Sequence, residues 1–221
     1  MTRPTGTPYA LDRAAEGAHA HILRNVPPGS RVLDVGCASG YLGQELVKRG
    51  CSVWGLESDL DAIQGIPDGA YVAIAHVDLD EVDRLPWNED RFDVVIAADV
   101  LEHLSDPSRA LRVLTSGLEP RGLVIVSVPN VAHASVRAKL LLGRFDYTPT
   151  GILDETHKRF FTFKTARALV EGCGLVVERV LAGSDRFGAI LNRVGPFQAM
   201  RGLLAFNIVV IARPAGDEGQ P

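Results

Sequence analysis

The stretch VLDVGCASGYLG, residues 32–43, places Asp34 two positions before Gly36 and six before Gly40. Glycines there permit a tight turn and let a ligand come close to the main chain. The first amides of a following helix would face that ligand. An acid, a bend and a loop of small residues, Cys37 and Ala38 among them, suit an amino-acid-like group. Glu57 closes a second apolar run, where a carboxylate can accept two hydrogen bonds from a ribose diol; Ser58 follows it. Asp78, with Leu79 beside it, closes a third run, where an acid can accept a bond from an adenine amine, although Asp80, Glu81 and Asp83 make the whole region acidic. Asp99, followed by Val100, closes a fourth run next to the first loop. A dinucleotide-binding fingerprint starting at Gly36 would need glycine at position 38, and Ala38 stands there.

Groups able to move a proton cluster later in the chain. His103, His133 and His157 each follow or lie between predicted elements at one edge of the expected sheet, and an unperturbed imidazole near pKa 6.5 is a fair base at neutral pH. His157 ranks first, because THKRFF follows an expected lid and runs straight into a helix. His103 in LEHL ranks second, since it can equally orient the loop beside the ligand, and His133 third. Asp154 could orient or replace such a base, or be an ordinary turn acid.

The elements that must position these residues read as follows. Leu11, Ala15, Ala18 and Ile22 recur at helical spacing ahead of Pro27-Pro28. RVLDVG, CSVWGLE, YVAIAHVD, FDVVIAADV and GLVIVSV read as five strands, LVVERVLAG and LLAFNIVVIA as two more. Helices are expected over 40–49, from Asp106-Pro107 to Gly117, and from Thr162 to the Gly172/Gly174 region. Strands alternating with helices imply a doubly wound α/β fold, its sheet mostly parallel and covered on both faces. The last two strands lack a strong helix between them and can pair as neighbours, one of them antiparallel. Residues 130–159 show no clean period and read as an insertion acting as a lid. Phe187, Ile190, Leu191 and Val194 repeat at helical spacing in a segment that could pack on the sheet edge, cover an acceptor or form a dimer contact. One domain over 1–213 with a polar, disordered tail over 214–221 is expected.

The 221 residues carry a net charge of −4 with pI near 5.9, against a nucleic-acid partner by bulk charge. LLAFNIVVIA is too short to span a bilayer, and MTRPTGTPYALD lacks the apolar run of a signal peptide. Cys37, Cys51 and Cys173 show no C-x-x-C spacing, which reads as reduced thiols in a cytoplasm and no zinc site. Within 131–159, Arg137, Lys139, Arg144, Lys158 and Arg159 outnumber Asp146, Asp154 and Glu155, which suits either a solvated lid or an acceptor bearing phosphate or carboxylate.

VLDVGCASG, Glu57, Asp78 and FDVVIAADVLEHLSDP together resemble class I S-adenosylmethionine-dependent methyltransferases, over roughly residues 10 to 212. The resemblance implies a Rossmann-like, seven-stranded sheet of order 3-2-1-4-5-7-6 with strand seven antiparallel. It implies S-adenosylmethionine as cofactor, with its methionine part on the Gly36–Gly40 loop, ribose at Glu57, adenine at Asp78 and Leu79, and the sulfonium by Asp99. SVPNVAHASVRAKLLLGRFDYTPTGILDETHKRFFT is similar to methyltransferases associated with bacterial polysaccharide and secondary-metabolite pathways, which implies a small-molecule or glycan-precursor acceptor. O-methylation with a general base is the reading; N-methylation of an amino sugar, or cofactor binding without catalysis, are the alternatives. Phe145, Tyr147, Phe160 and Phe161 are candidates for the acceptor wall. Some relatives hold magnesium with an acid after strand four and an Asp-Asn pair after strand five. Asp99 and Asn130 stand in similar places, but residue 129 is Pro, so no metal is expected.

Overall fold

The computed structural model describes residues 17–87, 91–183 and 201–215. Seven strands, β1 (Arg31–Val35), β2 (Ser52–Glu57), β3 (Ala73–His76), β4 (Phe92–Ala98), β5 (Leu118–Pro129), β6 (Leu175–Gly183) and β7 (Asn207–Pro214), form one sheet. Their order is β3-β2-β1-β4-β5-β7-β6. Strands β3 to β5 run parallel through β2, β1 and β4, and β7 is antiparallel to both β5 and β6. The expected architecture is therefore the observed one.

Alternation along the strands sorts side chains into two layers. Leu33 and Val35 of β1, with Val124, Val126 and Val128 of β5, pack on one face against Leu111 and Leu114 of α4 (Pro107–Thr115) and Ala166 and Val170 of α6 (Phe163–Glu171). Val32, Leu123 and Ile125 face the other way, onto Ile22 of α1 (Ala18–Asn25) and Leu42 and Leu46 of α2 (Tyr41–Val47). Both faces are covered, so the strand sequences read as continuous apolar runs.

Helix starts follow their caps. Asp106 accepts from the Arg109 amide with Pro107 in the first turn, and Thr162 and Thr165 exchange side-chain-to-backbone bonds as a capping box. Asp59 caps α3 (Leu60–Gln64), a helix not expected from periodicity because only five residues form it and none is buried. Within the expected insertion, His133 caps α5 (Ala134–Leu141). This helix buries only Val136, so it carries no apolar stripe to betray it in sequence. Arg201–Leu204 forms α7.

Two boundaries differ from expectation. The strand expected over 71–78 is shortened to Ala73–His76, since Tyr71 turns into the core beneath the first loop. Pro214, expected to start the tail, is the last residue of β7, opposite Leu175. Leu11, Ala15, the Phe187–Val194 repeat and residues 216–221 lie outside the described residues.

Candidate active site

A cleft of about 310 Å³ opens at the carboxyl ends of β1, β2 and β4. This is where strand order reverses in the sheet and where open α/β sheets bind ligands. Its wall is made by Gly36 and Ala38 after β1, Glu57 and Ser58 after β2, Asp78 and Leu79 after β3, Asp99 and Val100 after β4, and His103. Eight of the eleven residues expected to hold the cofactor therefore share one wall.

The other three lie behind it. Asp34 is buried and its carboxylate accepts from the Tyr71 hydroxyl at 2.6 Å. Burial, reinforced by the charge of Glu57 and opposed by the Tyr71 bond, pushes its carboxyl up to about 7. Cys37 is buried with its sulfur against Gly55, and burial holds its thiol well above the ordinary range. Gly40 precedes α2 with φ +75° and packs near Ile66 and Tyr71. These residues shape the loop from beneath.

Backbone conformation explains why the loop has this sequence. Gly36 has φ +67°, and a Cβ there would lie 2.5 Å from Val100 Cγ2. Ala38 and Asp99 take positive φ of 46° and 54° without being glycine, a cost that recurs at functional sites. Asp99 is held by Ser127 Oγ at 3.1 Å and by Asn207 Nδ2 at 2.9 Å. Burial raises its carboxyl pKa, against the opposing influence of His19 and His157. The Glu57 carboxylate accepts from the amides of Ala38 (2.8 Å), Ser58 (2.8 Å) and Asp59 (3.0 Å), tying two strand ends together.

Beyond Asp99 the chain forms a single 3-10 turn, Leu101–His103. Glu102 is 1% exposed, and among the described residues neither carboxylate oxygen has a hydrogen-bond partner. Burial, then the charges of Asp99 and Asp154, drive its pKa well above the usual carboxylate range. His103 and His157 meet edge to face with centroids 4.8 Å apart. Thr156 bridges them to Asp154: its Oγ1 donates to Asp154 Oδ1 at 2.7 Å and lies 3.0 Å from His103 Nδ1. An oxygen of Glu102 and a nitrogen from each of His103 and His157 lie within 4.8 Å of one another, a group able to hold a metal ion. The magnesium arrangement weighed from sequence does not form, because Asn130 is spent on structure. Its Nδ2 donates to the carbonyls of Gly202 and Ala205 and its Oδ1 accepts from Ala132.

The expected bases thus separate. His103 and His157 converge, whereas His133 caps α5 and stacks edge-on against Phe206. Asp154 acts through Thr156. Phe145, Tyr147 and Phe160 form one aromatic cluster that reaches His157, while Phe161 belongs to the main core. Of the basic lid residues, Arg137 donates to the Ala132 carbonyl, Lys158 pairs with Asp80 at 2.7 Å, and Arg159 donates to the Ser105 carbonyl.

Sequence reasoning missed His19 and Tyr41, which line the cleft from α1 and α2, and Glu102. For Glu102 the signal was an acid inside the apolar LEHL run, but a sequence does not say which way a 3-10 turn faces. Tyr71 and Thr156 carried no signal at all.

A Rossmann-like sheet of this order, with Glu57, Asp78 and Asp99 at or just beyond three strand ends around a glycine-bent loop, is the arrangement of a class I methyltransferase. The chain belongs to the family of methyltransferase domains, whose profile matches residues 10–180. It is 33% identical over 107 residues to a ubiquinone biosynthesis O-methyltransferase of Marinobacter nauticus, covering 46% of this chain and 45% of that protein. To the protein of that name from Methylobacterium sp. (strain 4-46) it is 28% identical over 195 residues, covering 85% and 74%. The chain thus matches less than half the length of the first relative. Magnesium protoporphyrin IX methyltransferase of Synechocystis PCC 6803, solved with bound SAH, superposes with TM-score 0.61 at 18% identity, over 90% of this chain and 80% of that one. Among the described residues, no helix is long and apolar enough to cross a membrane.

Proposed function

We propose that the protein transfers a methyl group from S-adenosylmethionine to a hydroxyl oxygen of a small-molecule or glycan-precursor acceptor. The observation that carries this reading is the junction at Asp99: the cleft ends at His103, and His103 stacks on His157. The cofactor's sulfonium supplies an already activated methyl group. The chain then has three tasks. In this reading Glu57 and Asp78 hold the nucleoside, the Gly36–Ala38 loop the amino-acid part, and the histidine cluster receives the acceptor. Fixing donor and acceptor in line can supply up to roughly 7–11 kcal/mol of barrier lowering.

The acceptor's proton goes to the cluster. His157 Nδ1 lies 3.1 Å from the Ile152 carbonyl, which can only accept, so Nδ1 carries the hydrogen and Nε2 the lone pair. His157→Ala is expected to remove most turnover, about 10²- to 10⁴-fold, with SAH affinity near wild type. Unchanged turnover would take His157 out of the mechanism. Oxygen as the accepting atom is supported by the chain's similarity to O-methyltransferases.

N-methylation of an amino sugar is the second reading. It is favoured by the acids Asp99, Glu102 and Asp154 grouped there, which would stabilise the positive charge that develops on a neutral amine nitrogen as it takes the methyl group. Paired hydroxyl and amine acceptors, assayed with labelled cofactor and mass analysis, decide between them. Cofactor binding with no turnover on any acceptor would favour a binding protein.

A further inference from the structure

We infer that Glu102, His103 and His157 form a binding site for one divalent transition-metal ion, of the zinc or manganese class, at the acceptor end of the cleft. The inference rests on the methyltransferase reading only for what the ion would do, not for its binding.

Glu102 is the starting point. Its side chain is almost wholly buried and neither oxygen has a hydrogen-bond partner among the described residues. A buried carboxylate without a counter-charge is strongly disfavoured, and a proton would add a donor that also needs a partner. The two cations whose amides bond the Glu102 carbonyl send their side chains elsewhere. Lys158 Nζ contacts Asp80 at 2.7 Å and Ser105 Oγ at 3.1 Å, and Arg159 reaches the Ser105 carbonyl. A cation from solution satisfies both oxygens at once.

The neighbours are suited to share it. One ligand atom from each of Glu102, His103 and His157 already lies within 4.8 Å of the others. The hydrogen bonds around the rings set their tautomers. The Ile152 carbonyl holds the His157 Nδ1 hydrogen. Thr156 gives its hydroxyl proton to Asp154, so it accepts from His103 Nδ1. Each ring therefore carries its lone pair on Nε2. Orientation of metal-binding histidines by carbonyls and carboxylates is the usual outer-shell arrangement. Two imidazoles and a carboxylate suit zinc, manganese or iron better than calcium or magnesium, which prefer oxygen donors.

Three protein ligands leave coordination positions for a substrate. His103 lines the cleft, so such a position would open toward the acceptor. A hydroxyl bound there becomes more acidic and gives its proton to water; with the Nε2 lone pairs on the ion, the ion takes over the deprotonation assigned above to His157 in the metal-free chain.

The test uses the full chain stripped with chelator and dialysed against metal-free buffer. Titration with Mn²⁺ alone, read by electron paramagnetic resonance, is expected to show one ion per chain. Pulsed measurements should show modulation from imidazole nitrogen. Glu102→Gln and His157→Ala should weaken binding at least tenfold, with SAH binding retained as the control for folding. Zn²⁺ followed by calorimetry should compete for the same site. Wild-type protein that binds SAH but neither ion above the level of Glu102→Gln would overturn the site. So would a bound ion showing no nitrogen modulation, a readout that needs no variant. Ion binding with no SAH binding would leave the site standing and remove the methyltransferase reading.

Discussion

The Tyr71 hydroxyl lies 2.6 Å from Asp34 Oδ2, joining the segment before β3 to the penultimate residue of β1 beneath the Gly36–Gly40 loop. Because burial raises the Asp34 carboxyl from 3.8 to about 7, the native protein keeps a proton there that the unfolded chain has released. Its contribution to stability is therefore lost as pH rises from about 4 to 7, by at most ~4 kcal/mol at 1.36 kcal/mol per pH unit. Asp34→Asn should show a flatter stability profile between pH 4 and 8. Tyr71→Phe should cost about 1–3 kcal/mol, with the larger loss at pH 8. Urea denaturation across pH measures both, and parallel profiles for wild type and Asp34→Asn would contradict the account.

Gly36→Ala combines φ +67° with a 2.5 Å approach to Val100 Cγ2. The backbone alone costs about 1–2 kcal/mol, and the clash moves the loop. SAH affinity by calorimetry should drop at least tenfold. Adding Val100→Ala should recover part of the loss, because the contact is relieved while the dihedral is not.

His19 meets Tyr41 with Nε2 3.3 Å from the phenol oxygen. Among the described residues that line the cleft there is no lysine or arginine, while Glu57, Asp78 and Asp99 are acids. His19 and His103 are the lining residues of the described chain able to take up positive charge, and His19 is expected to meet the carboxylate of a bound methionine group. His19→Ala should weaken SAH by roughly tenfold, the equivalent of one charge-assisted hydrogen bond, and leave 5′-methylthioadenosine, which has no carboxylate, unaffected. Equal loss for both ligands would assign His19 a packing role.

Thr156→Val removes the hydroxyl between Asp154 and His103. Turnover should drop about 10- to 100-fold, the range for loss of an outer partner, with SAH affinity unchanged. Thr156→Ser should restore most of it, and a Val variant as active as wild type would sever Asp154 from the chemistry.

Strand order and most of the cleft lining were legible in sequence because both are written in local terms. Doubly buried strands such as Val94–Ala98 read as apolar runs, and Glu57, Asp78 and Asp99 stand where those runs stop. Glu102 and Thr156 could not be read that way. Their roles come from a 3-10 turn meeting a segment more than fifty residues later, and no periodicity records that encounter. Tyr71 is similar: an aromatic near a strand start is ordinary, and only tertiary packing sets it under Gly43 and against Asp34. Helix α5 was missed for the opposite reason, since Leu140, Leu141 and Leu142 face outward and blur the pattern that a buried helix would show.

The Glu102 carbonyl accepts the amides of both Lys158 and Arg159, at 2.8 and 3.0 Å. That double stitch clamps the downstream end of the lid to the floor of the site. Lifting the His157 segment would break both bonds and part the two imidazoles, so acceptor exchange is expected on the α5 side, where Leu140, Leu141 and Leu142 turn to solvent.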